Sequence, residues 1–304
     1  MDAQLGLAIP ILVFVFTIGI GTDLTWGDFK RLLSEPGVIL AGICGHILLL
    51  PALAFAIAYI FREDLIIAIG IVLLAACPGG PLSNSLVYVA RARTELSVTL
   101  TAISGFISLV TTPIIAWYGI RLFVGDDADM SLPILPTVMQ IFVVMLVPLT
   151  IGMFVRTRWP DMVARNTQKI RMLCTVLMLL AILIVVVLSW TTLTGHFAQF
   201  ALAGLVFVGA TLLISWFYGG IIGLDESSRF TMMVEISIRN PVIASLIAIT
   251  LLDRPEFALF SAVYAAPAAV IILALGIIRA RRNKRKPNVG SDSLNTCAPD
   301  DLTQ

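Results

Sequence analysis

Apolar residues in this chain come in long unbroken runs, not in the alternation of a strand or on one face of a surface helix. Runs near the roughly 20 residues that a helix needs to cross a bilayer recur over 4–22, 37–60, 65–90, 96–120, 133–155, 171–190, 198–222, 230–252 and 257–279. The connectors between them carry turn and charge chemistry, as in Asp23-Leu-Thr-Trp-Gly-Asp28, Phe61-Arg-Glu-Asp64 and Gly125-Asp-Asp-Ala-Asp129. This pattern predicts an all-α polytopic membrane protein of about nine transmembrane helices, with residues 1–279 as a single transmembrane domain. Residues 280–304 begin with a basic run, Arg281-Arg-Asn-Lys-Arg-Lys286, and continue without apolar period, which predicts a disordered cytoplasmic tail.

Composition agrees with the pattern. Of 304 residues 59% are hydrophobic and 13% charged, about half the charge with which a soluble domain covers its surface. That excludes an ordinary water-soluble enzyme, a disulfide scaffold and a disordered chain. Cys44, Cys77, Cys174 and Cys297 are far apart and form no C-x-x-C pair, so neither a disulfide framework nor a zinc site follows from them. The first apolar run has no basic residues before it and no A-x-A signature, and reads as a retained span.

The distribution of charge adds an orientation. Placing the N-terminus outside puts sixteen of the twenty lysines and arginines in inner connectors and tail, against Arg62, Arg121 and Arg254 outside. Cytoplasmic loops carry the lysine and arginine excess, so the N-terminus is expected outside and the C-terminus in the cytoplasm, in a plasma or bacterial inner membrane. The same bias treats 65–90 as one crossing despite Pro78-Gly-Gly-Pro81, since a re-entrant segment would turn the basic 156–171 connector outward.

Two spans are interrupted, the third by Cys77-Pro-Gly-Gly-Pro-Leu-Ser-Asn84 and the eighth by Glu235-Ile-Ser-Ile-Arg-Asn-Pro241. Proline and paired glycines end helical continuity. Unwound backbone at membrane depth survives only inside protein or along a wet cavity, and the half-helix ends it exposes suit ions and anionic groups. Asn240 reads as the cap of the half-helix opened by Pro241, and Ser83 or Asn84 as the cap of the one opened by Pro81. The interrupted helix is third in each set of four, 1–4 and 6–9, and the two cross in opposite senses, as an inverted repeat requires. Glu235 and Arg239 are the charged residues well inside a span, each costing about 2.5–3.5 kcal/mol at mid-membrane. Their spacing of four predicts a shared helix face and mutual neutralisation. Ser97 and Thr101, also four apart, share a face of the fourth span.

The stretches Cys77-Pro-Gly-Gly-Pro-Leu-Ser-Asn-Ser-Leu-Val-Tyr-Val-Ala-Arg91, Glu95-Leu-Ser-Val-Thr-Leu-Thr101 and Val234-Glu-Ile-Ser-Ile-Arg-Asn240 resemble the bile acid:sodium symporter family, in its nine-helix form. The resemblance implies a panel of spans 1, 5 and 6, a core of spans 2–4 and 7–9, and two broken helices crossing in the core. It implies a sodium site of Ser83, Asn84, Ser97, Thr101 and Glu235, and substrate contacts at Pro81, Asn84, Ser237 and Asn240. It also exposes departures: His46 and Arg239 stand where the family has glutamines of a second sodium site, and Pro81 where it often has threonine. A guanidinium there predicts a tethered cation and at most one coupled sodium ion per substrate. His46 reads as a neutral partner, as a proton-sensitive element or as a plain structural contact.

The function expected is sodium-coupled symport of an organic anion, bile acid-like or a small carboxylate, by alternating access. The alternatives are a proton-coupled or uncoupled organic-anion carrier and a non-transporting membrane receptor of the same fold. An intramembrane enzyme lacks motif support: there is no H-E-x-x-H and no G-x-S-x-G. The expected partners are a small organic anion and the lipid bilayer, with no nucleic acid and no obligatory protein partner.

Overall fold

Apolar runs in a bilayer become helices because hydrocarbon offers backbone N–H and C=O groups no other partner. The computed structural model describes residues 3–23, 35–125, 134–252 and 254–285, and every regular element among them is helical. In chain order these are α1 (Ala3–Asp23), α2 (Pro36–Ile60), α3 (Leu65–Ala76), α4 (Pro81–Val89), α5 (Thr94–Val124), α6 (Ile134–Arg158), α7 (Pro160–Leu188), α8 (Trp190–Ile221), α9 (Glu226–Ser237), α10 (Pro241–Leu246) and α11 (Leu259–Arg285). A 3-10 turn, Pro255–Ala258, leads into α11. Helices α2, α5, α7, α8 and the stretch Pro255–Arg282 are long and apolar enough to cross a membrane, with shorter apolar helices at Ile11–Asp23 and Leu65–Ala76. The protein is therefore an all-helical, multi-pass membrane protein.

Helix α1 lies along α6, and the two backbones touch. A Cβ at Gly21 would collide with the Leu149 carbonyl of α6, and one at Gly152 with the Ile18 carbonyl of α1. Both helices also contact α7, whose outer face shows Leu173, Leu179, Leu183 and Val187. Elsewhere α3 is buried from Ile67 to Ala76 and packs on α2 and α5, while α8 packs on α9 and α11 around a cluster of Phe207, Phe260 and Tyr264. Helices α5 and α6 also touch.

Several helices outrun the apolar stretches that announce them. Helix α7 begins at Pro160, before the run 171–190, because proline suits a first turn and charged side chains tolerate a helix that has left the hydrocarbon. For the same reason α11 continues to Arg285, so residues 280–285 are helix and not the disordered tail expected; residues 286–304 lie outside the described ones. Helix α2 widens into a π-turn at Gly45–Leu49, ahead of Pro51.

Candidate functional site

The helix pairs α3–α4 and α9–α10 are built alike. Asp64 caps α3 by accepting from the amides of Ile66 and Ile67 (3.1 and 3.2 Å). Asp225 caps α9 through those of Ser227 and Ser228 (3.0 and 3.3 Å). Each helix then runs for 12 residues. Each stops in extended backbone, at Cys77 and Ile238, and a new helix starts at a proline, Pro81 or Pro241.

The two unwound segments solve their exposure jointly. They lie antiparallel, with Gly79 bridged to Arg239; Gly80 N donates to Ile238 O (3.4 Å) and Asn240 N to Pro78 O (3.1 Å). Buried main-chain groups thus find partners where no helix supplies them. Space at Gly79 is tight, since a Cβ there would sit 3.2 Å from a Glu235 carboxylate oxygen and press on it.

Beside this crossing, Glu235 is completely buried. Ser83 Oγ lies 2.5 Å from its Oε1, Ser97 Oγ also contacts Oε1, and Thr101 Oγ1 lies 2.8 Å from Oε2. Asn84 Oδ1 is 2.7 Å from Ser97 Oγ and 3.4 Å from Thr101 Oγ1. Ser83 Oγ is also 2.8 Å from the Gly80 carbonyl. The sequence-predicted residues Ser83, Asn84, Ser97, Thr101 and Glu235 therefore meet in one place, brought from α4, α5 and α9.

Their chemistry is one-sided. Each of the three hydroxyls stands within hydrogen-bond distance of two acceptors but carries one proton. Lone pairs are left facing lone pairs around a buried carboxylate, an arrangement that a hard cation relieves because it accepts oxygen ligands and neutralises the charge. One carboxylate matches a monovalent ion. Among the described residues no group of three or more His, Cys, Asp and Glu side chains could hold a metal. Neither Ser83 nor Asn84 caps α4, whose N-cap is Gly80; both side chains turn to the oxygen cluster. Asn240 does cap α10, accepting from Val242 N at 3.1 Å.

Arg239 does not pair with Glu235 as a shared helix face would require. Helix α9 ends at Ser237, and the extended Ile238 turns the next side chain away. The guanidinium instead donates to His46 Nδ1 (2.6 Å), to the Ala75 carbonyl (3.2 Å) and to the Cys77 carbonyl. A carboxylate is not among these partners. The cation lies against the carbonyl end of α3, the negative end of that helix's dipole. Since Arg239 donates, Nδ1 of His46 accepts and the ring proton sits on Nε2, which has no partner among the described residues. His46 is thus a neutral acceptor facing Arg239.

A cavity of about 300 Å³ lies between α1 and α7 on one side and α4 and α5 on the other. Asn84, Ser85 and Tyr88 line it, with Asp23 and Arg171 paired at 3.4 Å. Ser237 is buried, its carbonyl accepting from Tyr264 (2.5 Å) and its hydroxyl without a partner among the described residues. The side chain of Pro81 lies outside the described residues.

Sequence reasoning missed a latch at one end of the molecule. Arg93, at the turn before α5, makes a two-pronged ion pair with Glu35 at the head of α2 and reaches Ser228 on α9 (3.1 Å). Fifty-eight residues separate Arg93 from Glu35, so no local spacing announces the pair. The Arg93 hydrogen bond holds the Glu35 carboxyl below its ordinary range. The native state therefore binds fewer protons than the unfolded one through the acid range. The pair's contribution is complete above the usual carboxylate value, about 4.3, and disappears as pH falls through the lowered value. Both side chains are partly exposed, so at most about 1 kcal/mol is expected. Glu35→Gln should flatten the acid limb of thermal stability, and high salt should shrink the difference.

Two pairs of consecutive helices, α3–α4 and α9–α10, thus meet at a buried oxygen cluster inside a multi-pass helical membrane protein. The chain belongs to the Sodium Bile acid symporter family, whose pattern it matches over residues 10–196, a family of transporters and not of enzymes. It is 25% identical over 249 residues to an uncharacterized sodium-dependent transporter of Bacillus subtilis, covering 79% of this chain and 73% of that protein. It is 26% identical over 238 residues to a probable chloroplast sodium/metabolite cotransporter of Arabidopsis thaliana, covering 76% and 56%. With sodium/bile acid cotransporter 4 of Rattus norvegicus it shares 28% over 186 residues, covering 61% and 42%. The chain thus spans about half the length of these plant and mammalian relatives.

Proposed function

We propose that the protein is a secondary active transporter that couples the movement of an organic anion to sodium by alternating access. The observation that carries this reading is the cluster of Ser83, Asn84, Ser97, Thr101 and Glu235, with three hydroxyl protons shared among six contacts. Sodium bound there joins α4, α5 and α9 at the crossing, so that ion binding orders the segment on which Asn240 sits. The names of the relatives, sodium-dependent transporter and sodium/metabolite or sodium/bile acid cotransporter, agree with it.

In this reading α3 with α4, and α9 with α10 and its following turn, are each one broken span. The chain then has nine spans in an inverted repeat. The matched Asp caps and 12-residue half-helices support that symmetry. Helices α1, α6 and α7 form the panel and the remainder the core, in keeping with the contacts among the first three. The 300 Å³ cavity lies between panel and core and faces the cytoplasm, with the N-terminus outside and the C-terminus inside a plasma or bacterial inner membrane. Substrate contacts fall to Pro81, Asn84, Ser237 and Asn240.

Arg239 stands as a tethered cation for a second ion, its guanidinium on carbonyls of the α3 terminus. One sodium per substrate follows. Uptake into proteoliposomes should rise with sodium with a Hill coefficient of about one, because that coefficient cannot exceed the number of coupled sites. A coefficient clearly above one contradicts the single site, and uptake driven equally by a proton gradient without sodium contradicts sodium coupling.

A further inference from the structure

The outer face of α7 carries two kinds of surface in sequence. Arg165, Lys169, Met172, Val176, Leu183 and Val187 are three, four or seven residues apart, so they fall on one stripe of the helix. All six are exposed. The helix packs inward through the opposite side, where Val163, Cys174, Ala181 and Val185 are buried. Arg171 points a third way, pairing with Asp23 at the 300 Å³ cavity. Of the long apolar helices α7 is the least buried. The stripe therefore meets the bilayer, with two cations at one end and hydrocarbon below them.

The elbow that opens α7 extends the basic end. Arg158 closes α6, and its guanidinium lies 5.6 Å from the centre of the Trp159 ring, which is half-exposed and met edge-on by Phe154. Tryptophan in such a place marks the head-group level of a membrane. Arg158, Arg165 and Lys169 have no acidic partner among the described residues, and Asp161 is the one acid in the segment 156–171. Charge decides what covers the stripe. A second copy, related by a twofold axis along the membrane normal, would bring its own Arg165 and Lys169 to the same depth, like charge against like. A zwitterionic lipid brings a cation of its own. An anionic lipid supplies the missing charge, and the stretch from Met172 to Val187, about 22 Å at 1.5 Å per residue, exceeds the half-thickness of a hydrocarbon core about 30 Å deep.

We infer that the α6–α7 elbow and the outer face of α7 form a binding site for an anionic diacyl phospholipid. Its phosphate sits among Arg158, Arg165 and Lys169, whose N–H groups donate to the phosphate oxygens. Trp159 lies at the glycerol level, and the acyl chains run along Met172, Val176 and Leu183. Because α7 also walls the 300 Å³ cavity through Arg171 and Cys174, a bound lipid holds that wall from its outer side. The inference stands apart from the sodium site proposed above.

The test is thermal melting of the full chain in phosphatidylcholine nanodiscs with increasing phosphatidylglycerol, beside native mass spectrometry of the chain released from them. Phosphatidylglycerol should raise the melting temperature saturably and stay on the released chain at about one lipid per chain. Glycerophosphoglycerol, the same head group without chains, should give no saturable shift. Arg165→Gln combined with Lys169→Gln should weaken the lipid's effect roughly tenfold or more. Arg281→Gln combined with Arg282→Gln, which removes equal charge from the exposed end of α11, should leave it unchanged. Equal losses in the two double variants would mean attraction to bulk charge and overturn the inference. So would a glycerophosphoglycerol response matching that of the lipid, no response to phosphatidylglycerol, or a dimer that carries none. Should the α7 double variant fail to fold, Arg165→Gln alone should weaken the lipid roughly threefold or more, and an unchanged response there overturns the inference; with neither folded, the wild-type lipid series and the α11 variant decide.

Discussion

Glu235→Ala abolishes sodium-dependent stabilisation and sodium-driven uptake while the protein still reaches the membrane. The carboxylate supplies the negative charge in the oxygen cluster and accepts from all three hydroxyls, of Ser83, Ser97 and Thr101. Removing one partner of a desolvated, hydrogen-bonded charge pair costs about 2–5 kcal/mol of binding, a fall in sodium affinity of roughly thirtyfold or more. The sign of the stability change separates a lost site from a damaged fold. Without sodium the variant no longer buries a carboxylate surrounded by surplus lone pairs, so its melting temperature should match or exceed that of the sodium-free wild type. With sodium only the wild type should rise, by the mass-action term of a ligand that binds the native state alone. A variant that melts lower in both solutions would assign Glu235 a structural role instead. Ser97→Ala should act in the same direction and more weakly, since Asn84 and Thr101 keep the remaining geometry.

Arg239→Met destabilises the crossing itself. The guanidinium joins His46 on α2, the Ala75 and Cys77 carbonyls at the end of α3, and through its backbone Gly79 in the opposite segment. Methionine keeps the apolar stem and leaves a buried imidazole nitrogen and two carbonyls with one donor fewer each. Leaving a buried acceptor without its donor costs about 1–3 kcal/mol, and three are affected, so melting in sodium should fall by several degrees at least. Pairing Arg239→Met with His46→Leu should recover part of the loss, because the second change removes the acceptor the first one stranded. Strict additivity of the two losses would contradict a direct Arg239–His46 interaction.

The halves of this architecture were legible in the sequence to different degrees. Pro78-Gly-Gly-Pro81 and Asn240-Pro241 announce where helices stop, because proline and paired glycine act through the local backbone and need no tertiary context. Glu235 is conspicuous because a carboxylate in an apolar run demands an explanation. The matched caps Asp64 and Asp225 were equally available, each starting a 12-residue helix that is followed by a helix opened by proline. Arg239 was legible as a residue but not as a geometry. The i, i+4 rule presumes an unbroken helix, and the break it sits in sends its side chain to His46 instead of Glu235. The Arg93–Glu35 latch depends on elements far apart in the chain, where no periodicity reports. Hydropathy located α7 and α11 but not their ends, since it registers the hydrocarbon-facing part of a helix and not the solvated turns that extend it.

The central claim is that the oxygen cluster around Glu235 takes one sodium ion per chain, with Arg239 standing in for another. Equilibrium binding of radiolabelled sodium to the purified protein, counted per mole of chain, measures this directly. Saturation at about one ion per chain, without cooperativity and lost in Glu235→Ala, is the result expected. Two ions per chain, or one that survives Glu235→Ala, would contradict it.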